Sequence, residues 1–221
     1  MLDHPVHTGG ISVWTVFFMR KAMGRVGICL LLAVCFWCGT LLSDRQRLHE
    51  DLIRLHVVAN SDTQEDQVRK LQVRDAITKS LEADLGKMMD VQQAEQYLQS
   101  KLPYIQSLAE RTLKALGCDD AVSVSLCREK FDTRFYETFT LPAGVYNALR
   151  IVIGDGQGQN WWCVVFPGLC IPAASDGFED VAAGAGFPQT LQNSLTGEEG
   201  YELRFGVLDA LGRLENILFA G

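Results

Sequence analysis

A chain of 221 residues with 48% hydrophobic side chains is long enough to bury one well-packed domain and to carry extensions beside it. Residues 1–43 hold three of the 20 basic and one of the 27 acidic side chains, so residues 44–221 carry 17 basic against 26 acidic groups, a net charge of −9. An acidic body of that kind excludes a nucleic-acid-binding surface, which needs a basic excess or stripe.

The first element is an export segment. Between Arg25 and Asp44 lies VGICLLLAVCFWCGTLLS, 18 residues without a charge, preceded by Arg20, Lys21 and Arg25. The basic end marks residues 1–25 as cytoplasmic, and residues 26–43 as a signal peptide or a membrane anchor. Bulky Phe36, Trp37, Leu41 and Leu42 leave no small-x-small cleavage site, which favours an uncleaved anchor over a cleaved signal. Met23 is an alternative start for a shorter signal. Four cysteines follow the apolar run: Cys118, Cys127, Cys163 and Cys170. Cys163 and Cys170 flank a Pro-Gly turn, so they form either a local bridge or two reduced small hydrophobes. After the anchor there is no CxxC and the histidines are His49 and His56, so no metal site is expected.

The exported body opens on IRLHVVANSDTQEDQVRKLQVRDAI. Ile53, Leu55, Val57 and Ala59 alternate with Arg54, His56 and Val58, the period of a strand. Asn60-Ser61-Asp62-Thr63 ends it, and Asp62 with Glu65, or Ser61 with Gln64, supplies a capping box. The helix that follows, from about Thr63 to Met88, buries Val73, Ile77, Leu81, Leu85 and Met88, with Lys70 and Arg74 projecting into the same arc. Those two cations read either as snorkelling or salt-bridged side chains or as a partner site. Residues 91–116 form a second helical region, with a break or kink expected at Pro103 and an end at Gly117.

Strands come next. Val122, Val124 and Leu126 alternate with Ser123, Ser125 and Cys127. After the turn at Leu141–Gly144, a strand over Val145–Ile153 leads through Gly154-Asp155-Gly156-Gln157-Gly158 into Trp161–Phe166, which reads as a hairpin. The GxGxG is no dinucleotide fingerprint, because it joins two strands and lacks the third spaced glycine. Residues 173–200 read as a Gly-rich acidic flexible insert, and residues 201–221 as a C-terminal amphipathic helix with Leu203, Val207, Leu211, Leu214 and Leu218 on its spacing.

Assembled, residues 44–172 form one exported α+β domain: a mainly antiparallel sheet of about four strands with helices packed on one face, behind an N-terminal signal-anchor helix. If Ile53, Leu55, Val57, Leu149 and Ile151 face the helices, then Arg54, His56, Ser123, Ser125, Arg150 and one of Trp161 and Trp162 share the opposite face. Such a face serves a partner or is a solvated sheet surface. Catalysis is weighed against this. Cys163 with His56 as base, and Asn160 or Asp75 as orienter, would make an exported hydrolase acting on peptide or cell-wall material. Nothing local lowers the Cys163 pKa, and Asp62, Glu65 and Asp66 sit at a helix start where carboxylates belong for capping.

The two blocks RLHVVANSDTQEDQVRKLQVRDAI and LPAGVYNALRIVIGDGQGQNWWCVVFPGLC, in this order behind an export segment, resemble the stage II sporulation protein R family of endospore-forming bacteria. The resemblance spans about residues 25 to 172 and, more weakly, the last helix. It rests in the first block on Arg54, Asn60, Ser61, Asp62, Asp66, Arg74 and Asp75. In the second it rests on Pro142, Ala143, Gly144, Tyr146, Leu149, Arg150, Gly154, Gly156, Gly158, Asn160, Trp161, Trp162, Cys163 and Cys170. It implies a non-enzymatic signal, made in the forespore and exported into the intermembrane space. There it triggers a membrane-embedded aspartic protease that processes a mother-cell pro-sigma factor. No catalytic residue, cofactor or small-molecule substrate comes with the resemblance. The expected partner-binding residues are Arg54, His56, Asn60, Asp62, Arg74, Asp75, Arg150, Asn160, Trp161 and Trp162. A structural envelope protein without a signalling role is the third reading. The longer N-terminus and the 173–200 insert depart from the family pattern, and the insert leaves the last helix without an assigned role.

Overall fold

The computed structural model describes residues 13–135, 139–167 and 202–218, together with Gln189, Asn193 and Leu195. The chain divides into two compact units, Met1–Ser43 and Asp44–Gly221. Helix α1 (Val13–Glu50) carries the apolar run of the first unit. From Met23 it is long and apolar enough to cross a membrane, a test that a signal sequence also passes. Val26, Ile28, Leu30, Leu31, Leu32, Val34 and Phe36 are all exposed. Apolar surface of that extent is unfavourable in water and favourable in lipid.

The second unit is α+β, as expected. Its elements are β1 (Ile53–Val58), α2 (Gln64–Leu85), α3 (Val91–Ala115), β2 (Val122–Phe131), β3 (Arg134–Phe135), β4 (Thr140–Leu141), β5 (Gly144–Ile153), β6 (Asn160–Phe166) and α4 (Glu202–Leu218). The main sheet has the order β2-β5-β1-β6, and β3 and β4 form a small second ladder. β1 runs parallel to β5, while β1–β6 and β2–β5 are antiparallel. β1 therefore lies in the centre, and every one of its six residues is buried.

α2 and α3 pack on one sheet face. Val73, Ile77, Leu81 and Leu85 of α2 and Leu98, Ile105, Ala109 and Leu113 of α3 close over Ile53, Leu55, Val57, Leu149, Ile151 and Val165. Each of the larger side chains contributes roughly 1.5–3 kcal/mol by full burial. Leu48, Phe131, Phe139, Leu141, Tyr146 and Leu208 are buried outside this cluster. α4 packs against β5, where its Asp209 accepts from the Ala143 backbone N–H at 2.9 Å and its Asn216 donates to the Phe131 carbonyl at 2.8 Å.

Four local expectations are corrected. β5 and β6 do not form a hairpin, because β1 sits between them, so the Gly154–Gly158 stretch crosses over the end of β1. α3 continues through Pro103 as one helix, so the expected break into two is absent. That proline is exposed, and so is Gln99, so the carbonyl that Pro103 leaves without an N–H faces water. The cap of α2 is neither expected box. Thr63 is the N-cap, its hydroxyl accepting from the Asp66 backbone N–H at 3.3 Å. Finally, α4 buries Leu208, whereas Leu214 and Leu218 are exposed. Its docked side is fixed by polar contacts and by Gly212, where a Cβ would run into the Ala143 carbonyl. The expected 173–200 insert lies outside the described residues except for Gln189, Asn193 and Leu195.

Candidate functional site

The two long sequence blocks meet at the end of β1. After Val58 the chain turns through Asn60, Ser61 and Asp62 into α2. The Ser61 hydroxyl donates to the Asp66 carboxylate at 2.6 Å, and the Asn60 amide donates to it at 3.2 Å. These bonds, led by Ser61, hold the Asp66 carboxyl below its ordinary pKa.

The glycine-rich crossing segment is laced onto that corner. Gln157 N–H donates to Asn60 O at 3.0 Å and Gly158 N–H to Ala59 O at 2.9 Å. Asp155 N–H donates to the Asn60 side-chain oxygen at 2.9 Å, and Gln159 N–H to Asp62 at 2.7 Å. Lys70 reaches across from α2 to the Gln159 carbonyl at 2.9 Å and to Gln67 at 2.5 Å. Lys70 is buried, and that burial pushes its pKa down against the pull of Asp62. A Cβ on Gly158 would run into the Ser61 carbonyl. Asn60, Asp62 and Lys70 are thus the fastening of the corner.

Behind this junction the expected residues separate into two groups, one on each face of the sheet. On the helix side, the Arg74 guanidinium lies 4.1 Å from the centre of the Trp161 ring and pairs with Asp75 at 2.6 Å. On the opposite side, His56, Arg150 and Trp162 are cross-strand neighbours. His56 Nδ1 is 2.8 Å from Glu129, and Nε2 is 2.9 Å from the Asn160 amide oxygen. Arg150 lies 3.4 Å from the other Glu129 oxygen, with 45% of its side chain exposed. The Arg134 guanidinium lies 3.3 Å over the Trp162 ring, and the His56 and Trp162 rings are 5.5 Å apart. Cation–π contacts of this kind contribute about 0.5–2 kcal/mol each.

Glu129 and Arg134 escaped the sequence reading. The alternation of Ser123, Ser125 and Cys127 continues to Glu129, which was the available signal. Arg134 lies beyond the end of β2, where no periodicity reaches. Arg54 was expected beside Arg150 as a contact residue and is corrected. It shares that face but is fully buried, its guanidinium 4.0 Å from the Phe131 ring centre and 5.1 Å from that of Tyr146.

The hydrolase pair is not assembled. Leu55 is the cross-strand neighbour of Cys163 and His56 that of Trp162, so Cys163 and His56 lie on opposite faces of the sheet. Cys163 is moreover disulfide-bonded, which removes the thiolate a nucleophile needs. Its expected partner, Cys170, lies outside the described residues. Among the described residues no cluster of His, Cys, Asp or Glu is arranged to hold a metal ion.

A family profile described as stage II sporulation protein R matches residues 49–176, more than half of the chain. The chain belongs to the stage II sporulation protein R family. It is 38% identical over 128 residues to the stage II sporulation protein R of Bacillus subtilis (strain 168), a stretch covering 58% of this chain and 57% of that relative. The match thus spans little more than half the length of the curated relative. No solved structure matches the chain. The family's matched stretch runs from His49 through β1–β6 and so contains the corner, the crossing segment and both arginine–tryptophan pairs. The apolar run and α4 fall outside it.

Proposed function

We propose that this chain is an exported sporulation signal. It leaves the forespore and, free or anchored through residues 26–43, activates a membrane-embedded aspartic protease across the intermembrane space, leading to processing of a mother-cell pro-sigma factor. The observation that carries this reading is the family match over residues 49–176, which takes in the whole sheet and both arginine–tryptophan pairs. The exposed apolar helix before it supports export.

The receptor-facing surface is the open part of the second sheet face: Arg150, Trp162 and Arg134 above the His56–Glu129 pair. Arginine and tryptophan are the residue types whose truncation most often costs ~2 kcal/mol or more at a protein interface. Here the contact between His56 and Glu129 at 2.8 Å and the hydrogen-bonded corner hold them in fixed positions, which lowers the ordering cost of binding. A signal of this kind works by binding one state of its receptor better than another.

The test is complementation of a strain lacking the gene, read as precursor processing beside thermal unfolding of the purified protein. Arg150→Ala and Trp162→Ala are expected to abolish or strongly reduce processing, with export intact and stability within about 1 kcal/mol for the half-exposed Arg150. Normal processing in both variants would remove this face and leave Arg74, Asp75 and Trp161 as the next surface to test. Normal processing in the deletion strain would overturn the signalling reading itself.

A further inference from the structure

The outer edge of β2 is unusual for a sheet edge. β2 has ten residues, and among the described residues only β5 pairs with it. Sheet edges of that length are normally blunted by proline, lysine, a bulge or a covering element, since their free N–H and C=O groups invite another strand. Over Val122–Cys127 the run VSVSLC carries no charge and no proline. Its register with β5 is unbroken from Val122 opposite Ile153 to Phe131 opposite Gly144, whereas the β1–β6 ladder shifts at Ile53/Arg54. Ser123 and Ser125 are exposed, and Val124 and Leu126 are only partly buried. Leu126 shares an open groove of about 490 Å³ with Glu95, Gln96, Gln99 and Ser100 of α3.

The charges flanking this neutral run decide what fits it. Asp119 and Asp120 precede it, and exposed Arg128 and Lys130 follow it. The acid between those two, Glu129, is engaged by His56 and Arg150. The edge is therefore acidic at one end and basic at the other. Its best complement is the same edge running antiparallel. Pairing about Val124 places Val124 against itself, Ser123 against Ser125, Val122 against Leu126 and Asp120 against Arg128 of the second copy. From Asp120 to Arg128 every cross-strand pair is then apolar with apolar, hydroxyl with hydroxyl, or acid with base, the combinations that stabilise antiparallel ladders, and Asp119 falls opposite a Glu129 that Arg150 of its own copy engages. We propose that β2 is a self-docking edge through which two copies of this chain pair antiparallel about Val124, joining their sheets into one of eight strands. The two-fold axis keeps both α3 grooves on the same side, so the half-buried Val124 and Leu126 of each copy are covered together.

The test reads association without any receptor, so it stands or falls separately from the signalling function. The full chain is purified in detergent and its protein mass is measured by light scattering. In parallel, Val124→Cys is introduced in a background with Cys29, Cys35, Cys38 and Cys127 replaced by serine. Directly opposed residues of an antiparallel pair fall within disulfide reach. The expected result is a dimer that cross-links at position 124 on mild oxidation. Leu126→Cys, four residues out of register with its own copy, should not cross-link. Asp120→Arg or Arg128→Asp alone should raise the dissociation constant roughly tenfold by setting like charges opposite each other twice. The double variant should restore it, which also shows that the single variants fold. A monomer throughout the micromolar range, cross-linking at 126 instead of 124, or a dimer indifferent to Ser125→Lys would each overturn the proposal. So would a monomer whose edge variants still block precursor processing, since the edge would then receive a strand of a different protein.

Discussion

Arg54 shows how a single residue can sit on the expected face and yet do different work. Its guanidinium is enclosed between Phe131 and Tyr146 with no exposed surface, so it is part of the packing and not of the contact surface. Arg54→Ala is therefore expected to cost about 3 kcal/mol or more of stability, through lost packing and lost cation–π contacts. Arg54→Lys should recover little, because an ammonium cannot stack as a planar guanidinium does. Chemical denaturation checks this: an Arg54→Ala protein with unchanged stability and lost signalling would return Arg54 to the surface. Strand parity alone correctly placed Arg54, His56 and Arg150 together. Exposure was not legible, because it depends on Phe131 and Tyr146, which are 77 and 92 positions away along the chain. The choice between the two tryptophans was equally hidden, since β6 is apolar on both faces and only its pairing with β1 assigns Trp162 to the His56 side.

At the scale of elements, periodicity found the strands and helices, and turn chemistry misled where connections are non-local. Gly154–Gly158 carries every local mark of a hairpin, yet the segment spans β1 because β5 takes β1 as its parallel neighbour. No residue in the loop encodes that order; the encoding lies in the acceptors offered by Ala59, Asn60 and Asp62. Pro103 misled in the opposite direction, a breaker that the exposed side of α3 accommodates. The crossing segment makes a sharp prediction. Gly158→Ala must move the loop off the Ser61 carbonyl, a backbone group that cannot yield, and is expected to destabilise by about 1–3 kcal/mol. Amide hydrogen exchange should locate the damage, with Gln157, Gly158 and Gln159 losing protection before the core strands. Unchanged protection at these three amides would mean that the loop is not held as described.

For the whole of the second unit, the two faces of the sheet are closed by different physics. α2 and α3 close one with aliphatic side chains. On the other side α4 is tied to the end of α1 and the start of β5 mainly by polar contacts: Arg204 to Asp44, Glu215 to Arg45 at 2.7 Å, and Glu215 to the Val145 N–H at 3.3 Å. His49 lies in the middle of this junction, its ring centre 4.8 Å from that of Tyr146 at a 35° tilt and its Nδ1 3.4 Å from Glu215. Burial pushes its pKa down from 6.5 to about 4, with Arg45 and Arg128 adding to the fall and Glu215 and Glu50 opposing it. Below pH 6.5 the unfolded chain therefore takes up a proton at His49 that the folded chain refuses, and stability declines as the pH falls. The contribution is complete above pH 6.5 and is lost by about pH 4, amounting to about 3 kcal/mol at most. Asp66 and Asp209, both held below the ordinary carboxylate range, lose their contributions only below about pH 4, so the two windows separate. Thermal unfolding of the full chain between pH 7 and 4.5 should show a falling midpoint, and His49→Phe, which keeps a ring against Tyr146 without a titrating nitrogen, should flatten that slope while leaving the acid limb below pH 4 in place. A slope unchanged by His49→Phe would show that the junction between α1, β5 and α4 does not exclude the proton as its packing requires.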